Sequence, residues 1–229
     1  MNAPMTPPAD YALEVPDSTR QALARAWLWL GLLALIGSGV FSVLLVLSRT
    51  PFLQNLFPVA DFFRVALVVH VDLSVLVWFI AIAGMLWSIN SSARAMTWGW
   101  LALWGCALGA ALMSLAPFIG RGEAIMANYI PVLSDPIFLS GLLVLGAGFA
   151  ALVLRSLVLA PALGLRFSGG GALRFGLNAA AVSAAVAIGA FAWSYAVVSA
   201  SLGGKAYYEI LFWGGGHVLQ FTWTLLMLV

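Results

Sequence analysis

The chain has 229 residues, of which 63% are apolar and 8% charged, and its mean hydropathy is +1.05. This composition excludes an ordinary soluble domain and predicts an integral membrane protein. Ten Lys or Arg residues against eight Asp or Glu give a formal charge of +2, too small and too scattered to indicate a nucleic-acid partner. The single cysteine, Cys106, excludes an internal disulfide and a Cys-x-x-Cys-His attachment site for a c-type haem.

Residues 1–22 form a polar, proline-rich tail without the basic start and short apolar core of a cleavable signal. Residues 23–229 are predicted to form one all-α, polytopic transmembrane bundle of six spans. Each of six apolar stretches is near or above the roughly 20 residues that a spanning helix needs. They lie between Arg25 and Arg49, between Arg64 and Arg94, between Arg94 and Arg121, at 131–154, between Arg174 and Lys205, and at 207–229.

The basic residues of the short loops predict the orientation, because cytoplasmic loops carry an excess of Lys and Arg. A cytoplasmic N-terminus gives six basic residues inside and four outside. The inner set is Arg20, Arg25, Arg94, Arg155, Arg166 and Arg174, and the outer set is Arg49, Arg64, Arg121 and Lys205.

His70 and His217 are the only histidines. In this topology each lies about ten residues after the start of its span, which places both imidazoles roughly 15 Å below the outer surface. Ionisable groups at membrane depth suggest a functional site, and neutral imidazole binds haem iron and copper. Two histidines at one depth favour a shared metal or cofactor layer, with interhelical hydrogen bonding as the alternative for each.

Three consecutive glycines, Gly214 to Gly216, precede His217. Glycine weakens a helix by on the order of 1 kcal/mol relative to alanine. The run therefore predicts that a neighbouring helix or a large flat ligand approaches the backbone closely here.

Three other polar residues have two interpretations each. Asp72 is predicted to face away from His70, and it either handles protons or pairs with another helix. Gln220 either supports His217 by hydrogen bonding or makes an ordinary interhelical contact. Tyr195, in a fifth span with several serines, belongs either to a proton path or to helix packing.

Three stretches, VVHVDLSVLVWF, ANYIPVLSDPIFLSG and FWGGGHVLQF, resemble the catalytic subunit I of the haem-copper oxidase superfamily, above all its cbb3-type branch and the nitric oxide reductases. The resemblance covers the six spans in order and implies that they are the N-terminal half of a twelve-helix subunit. It implies that His70 is an axial ligand of a low-spin haem. His217 would be one of three ligands of the non-haem copper that faces a high-spin haem.

The resemblance also implies the function of the whole enzyme. It would reduce dioxygen to water with electrons from a c-type cytochrome subunit, coupled to proton uptake. The cofactors would be b-type haem and copper. The setting would be the bacterial inner membrane, with lipid and other oxidase subunits as partners. Because the chain ends at Val229, inside its sixth span, these residues are not expected to catalyse the reaction alone.

Three positions depart from patterns of the family. Phe221 stands where the common oxidase branch has a tyrosine crosslinked to the sixth-span histidine, which argues against a mitochondrial-like enzyme. Gln220 and Thr222 stand where reductases tend to carry glutamates, which favours an oxidase. The alternatives are a nitric oxide reductase with iron in place of copper, a dihaem cytochrome without oxygen chemistry, and a transporter or structural membrane subunit.

Overall fold

The computed structural model describes residues 12–13, 17–53, 61–120, 122–161, 169–199 and 201–229. Most of this is helix, with one short antiparallel hairpin, so the all-α prediction is confirmed. The elements are α1 (Ser18–Arg49), α2 (Phe62–Ile89), α3 (Met96–Ile119), β1 (Ala124–Ile125), β2 (Val132–Leu133), α4 (Pro136–Val158), α5 (Gly170–Val197) and α6 (Gly204–Met227).

The predicted count of six spans is one too many. Among the described residues, five helices, α1 to α5, are long and apolar enough to cross a membrane. The sixth, α6, forms where the last span is predicted. However, the mean hydropathy of α6 is lowered by its polar residues and glycines, which include Lys205, Glu209, Gln220 and the glycine run. The protein is therefore an integral membrane protein with five candidate spanning helices and a further long helix.

The helix starts follow from local capping. Asp17 accepts a hydrogen bond from the Arg20 backbone N–H, which begins α1 at Ser18 and makes the last five residues of the predicted tail helical. The rest of that tail, residues 1–11 and 14–16, lies outside the described residues. Asp135 caps α4 in the same way and Pro136 takes its first position, so α4 starts later than the predicted residue 131.

The helix α2 changes register in its middle. It is α-helical over Phe62–Val71 and Trp78–Ile89, and between them lies a π-helical segment, Asp72–Val77. Such segments are rare and are frequently found at functional sites. This one begins two residues after His70.

Glycines bring α3 and α4 into close contact. A Cβ added at Gly109 would lie 2.6 Å from the Gly141 carbonyl oxygen, and one at Gly148 would lie 2.7 Å from the Cys106 nitrogen. The two backbones therefore touch directly, as is common between membrane helices. Cys106 itself is buried in this interface.

A polar network ties the helices together at one end of the bundle. Arg155 of α4 is fully buried and donates to the Ser91 hydroxyl at 3.0 Å, and Arg20 of α1 donates to the Ser91 carbonyl. Asn90 donates to Asn178 of α5 at 2.8 Å. These contacts place Arg20 and Arg155 at the same end of the bundle, as the predicted orientation requires. Two of the basic residues that predict this orientation, Arg121 and Arg166, lie outside the described residues.

Candidate functional site: two histidine environments

His70 is held against α1 by Ser38. Its Nδ1 lies 2.9 Å from the Ser38 carbonyl oxygen and 2.9 Å from the Ser38 hydroxyl. The Ser38 hydroxyl in turn lies 3.0 Å from the His70 carbonyl oxygen. These distances fit a neutral imidazole whose Nδ1–H donates to the Ser38 carbonyl while the serine hydroxyl donates back to the His70 carbonyl.

The His70 carbonyl oxygen also accepts a hydrogen bond from the Ser74 hydroxyl at 2.8 Å. Two side-chain donors thus converge on this carbonyl where the helix leaves its α-helical register. Hydroxyl donors of this kind satisfy backbone groups that an altered register leaves without their usual partners. The serines therefore stabilise the π segment and the orientation of the imidazole together.

This arrangement leaves the second ring nitrogen of His70 open. The described part of the chain supplies no hydrogen-bond partner to Nε2, and the side chain is only partly buried. A histidine that ligates a metal commonly donates its other N–H to a carbonyl, which fixes the tautomer and the ring plane. His70 has this form.

Asp72, two residues on, is almost completely buried, with a relative exposure of 1%. Its Oδ2 atom has no hydrogen-bond partner among the described residues, and Asp72 forms no ion pair there. The structure therefore gives no support to the predicted pairing of Asp72 with another helix. A role in proton handling stays a prediction.

Both ring nitrogens of His217 have hydrogen-bond partners. Nε2 lies 2.9 Å from the Tyr129 hydroxyl, and Nδ1 lies 2.8 Å from the Trp213 carbonyl oxygen one turn earlier. A neutral imidazole satisfies both contacts, with Nδ1–H donating to Trp213 and the Tyr129 hydroxyl donating to Nε2. The rings of Tyr129 and Trp213 also pack on the imidazole, with centroids 4.8 Å and 4.4 Å away.

Tyr129 reaches His217 from the loop between β1 and β2. The hairpin pairs Ala124 with Leu133 and Ile125 with Val132. It follows α3 directly and leads into the Asp135 cap of α4, so the loop is anchored at both ends. The sequence analysis did not identify Tyr129, because it lies 88 residues from its partner. It is nevertheless part of one of the stretches that carry the family resemblance.

The glycine run is explained by two aromatic side chains. A Cβ at Gly216 would collide with the ring of Tyr129, and a Cβ at Gly215 would collide with the ring of Phe191 on α5. Gly214 has only distant neighbours, Ala190 and Ser194, each 3.9 Å from an added Cβ. The close approach predicted from the sequence is therefore made by two neighbouring side chains.

The other predicted site residues form no described hydrogen bond with either histidine. Gln220 and Phe221 are exposed on α6, and neither forms a hydrogen bond or a ring contact with His217 in the described structure. Tyr195 is 71% exposed near the end of α5 and lines a cavity whose described lining includes neither histidine. Nothing in the described contacts joins Tyr195 or Gln220 to Asp72.

The two histidines have no hydrogen-bond partner in common in the described structure, and a cofactor layer shared by them stays a prediction. His70 contacts α1, whereas His217 contacts the hairpin loop and its own helix. His70 lies eight residues into α2, about 12 Å along the axis, and His217 lies thirteen residues into α6, about 20 Å. Among the described residues no group of three or more His, Cys, Asp or Glu side chains could hold a metal ion.

No family model matches the chain, and no solved structure matches it. An uncharacterized protein of Rickettsia prowazekii (strain Madrid E) is 27% identical over 92% of this chain and 46% of its own length. An uncharacterized protein of Aquifex aeolicus (strain VF5) is 29% identical over 86% of this chain and 49% of its own length. The chain therefore spans about half the length of the curated relatives it matches, and their names assign no activity.

Proposed function

We propose that this chain is the N-terminal, haem-carrying part of a respiratory oxidase subunit I of the cbb3-like haem-copper type. In the complete enzyme, electrons from a c-type cytochrome would reduce dioxygen to water, with coupled proton uptake. The observation that carries the proposal is the state of His70, whose Nδ1 is bound to Ser38 while Nε2 has no protein partner among the described residues.

The residues around His70 fit a b-type haem. A bound haem would supply one-electron transfer at its iron. The chain contributes the rest: His70 offers Nε2, Ser38 fixes its tautomer and ring plane, and Ser74 secures the carbonyl at the register change. Val69 and Leu73, near His70 on α2, are buried apolar residues. Hydrogen bonding at Nδ1 raises the basicity of the ligating nitrogen.

The residues around His217 do not fit copper in the same way. Both ring nitrogens are engaged, and the described residues offer no second or third ligand nearby. We therefore assign no step to copper. Because both ring nitrogens have hydrogen-bond partners, a second role is favoured for His217: a structural contact that joins α6 to the hairpin, as in a structural membrane subunit.

A haem titration tests the proposal. The purified chain in detergent is titrated with haemin, and the Soret band is recorded. We expect a saturable band that His70→Ala weakens at least tenfold in affinity, while His217→Ala leaves it unchanged. Ser38→Ala, which removes the hydroxyl but retains the carbonyl acceptor, is expected to weaken binding less than His70→Ala. Equal haem binding by wild type and His70→Ala would refute the proposal.

A further inference from the structure

A cavity of about 500 Å³ lies between α4 and the α5–α6 pair, with one face of α2 as part of its wall. Neither His70 nor His217 is among its described lining residues, and Phe191, which packs on Gly215, forms part of the wall. Among the described residues its lining is apolar except for two phenols, those of Tyr195 and Tyr208.

The polar groups of the described lining are at one end of the α5–α6 pair. Tyr195 lies two residues before the end of α5, and Tyr208 lies four residues after the start of α6, so both phenols belong to the same end of the helix pair. The lining continues along α6 to Leu219, eleven residues past Tyr208, which is about 16 Å along the axis. The cavity thus has a mouth with hydroxyl groups and a long apolar body.

Both hydroxyls are available to a ligand. The described part of the chain gives neither the Tyr195 nor the Tyr208 hydroxyl a hydrogen-bond partner. A phenol is a good donor to a carbonyl oxygen, and such pairs fix the orientation of ligands in otherwise apolar pockets.

An aromatic wall leads inward from the mouth. The ring of Tyr208 stacks near that of Phe212, with centroids 5.9 Å apart and an interplanar angle of 24°. Phe212 in turn meets Phe191 edge to face at 6.1 Å. A flat conjugated ring packs well against such a surface.

The charges near the mouth favour a neutral head group. Lys205 and Glu209 lie on either side of Tyr208 in the sequence, and they pair with each other at 3.6 Å. A phosphate at the mouth would meet a cation already compensated by an acid. A neutral head with carbonyl acceptors matches the two phenols of the described lining.

We propose that this cavity binds an isoprenoid quinone, with its ring at Tyr195 and Tyr208 and its tail directed along α6 towards Leu219. A quinone combines two neutral carbonyl acceptors, a flat ring and a long apolar tail, which match the donors, the aromatic wall and the apolar body. The proposal does not depend on haem at His70, since binding is measured on the haem-free chain.

A matched pair of glycine variants tests the site. Gly146 lines the cavity, and a Cβ added there meets nothing within 4 Å, so Gly146→Leu fills the cavity without a clash at the backbone. Gly39→Leu on α1 is the control, because a Cβ there also meets nothing within 4 Å and Gly39 does not line the cavity. The probe is decylubiquinone, titrated into the chain in nanodiscs of zwitterionic lipid, with quenching of tryptophan fluorescence as the readout.

We expect saturable binding that Gly146→Leu weakens at least tenfold and Gly39→Leu leaves unchanged. Tyr195→Phe and Tyr208→Phe should each weaken it roughly two- to tenfold, the value of one neutral hydrogen bond. Equal affinity in the two glycine variants overturns the site. Binding of decylbenzene, which has the same tail without carbonyl groups, as tightly as decylubiquinone overturns the quinone assignment.

Discussion

Gly216→Ala is predicted to break the contact between Tyr129 and His217. The new methyl group would overlap Tyr129 at its Cβ, Cγ and Cδ1 atoms. Two of these atoms are at the root of the side chain, so a ring rotation cannot clear the overlap. The loop that carries Tyr129 must move away from α6. The Tyr129 hydroxyl, now 2.9 Å from the His217 Nε2 atom, then loses this hydrogen bond.

The expected cost follows from three contributions. Overpacking costs about 1–3 kcal/mol, and loss of the neutral hydrogen bond costs about 0.5–1.5 kcal/mol. Replacing glycine by alanine inside a helix stabilises the helix by about 1 kcal/mol, which offsets part of this cost. The free energy of unfolding should therefore fall by about 2 kcal/mol.

Reversible unfolding in mixed SDS micelles measures this change. Gly189→Ala on α5 is the control, because a Cβ there meets nothing within 4 Å, and it should be neutral or stabilising by up to about 1 kcal/mol. In a double-mutant cycle, Tyr129→Phe should cost less in the Gly216→Ala background than in the wild type, since the hydrogen bond is already lost. If Gly216→Ala is as stable as Gly189→Ala, the packing of Tyr129 on α6 is wrong.

Two further predictions concern the other end of the bundle. Arg155→Met should lower the free energy of unfolding by about 2–4 kcal/mol, because it leaves the Ser91 hydroxyl and the carbonyls of residues 92, 94 and 95 without their charged donor. Arg155→Lys should recover part of the loss in the same SDS assay, and equal stability of Arg155→Met and wild type would contradict the buried network. The backbone N–H and the side chain of Arg20 hold the pKa of Asp17 below its ordinary value. The cap on α1 should therefore persist at neutral pH and be lost as the pH falls below about 4. Hydrogen exchange of the first α1 amides, measured in the wild type and in Asp17→Asn, would detect this loss. Identical exchange in the two proteins down to pH 3 would contradict the prediction.

The sequence predicts the helices well because their signals are local. Apolar length places α1 to α5, and the Asp135–Pro136 pair sets the start of α4 to the residue. The number of spans is harder to predict from the sequence, because Lys205 and Glu209 lie inside the helix that contains His217. Composition alone does not separate a long helix from a spanning one in such a case.

The candidate sites depend on contacts between distant residues, which the sequence does not display. Ser38 lies 32 residues before His70, and Tyr129 lies 88 residues before His217. One signal was available for Ser38, a hydroxyl flanked by Gly37 and Gly39 within an apolar span. Arg155 was interpreted only as a marker of topology, because nothing local shows that a cationic side chain near a helix end is fully buried.

The two histidines differ in what a ligand must displace. At His70 the protein already occupies Nδ1 and leaves Nε2 without a protein partner in the described structure, so a ligand can bind without breaking a described hydrogen bond. At His217 any ligand on Nε2 must first displace the Tyr129 hydroxyl. Occupation of His217 is therefore coupled to displacement of the Tyr129 side chain, which belongs to the loop between β1 and β2. Gly216→Ala, which displaces the same tyrosine, should make Nε2 accessible while His70 is unaffected.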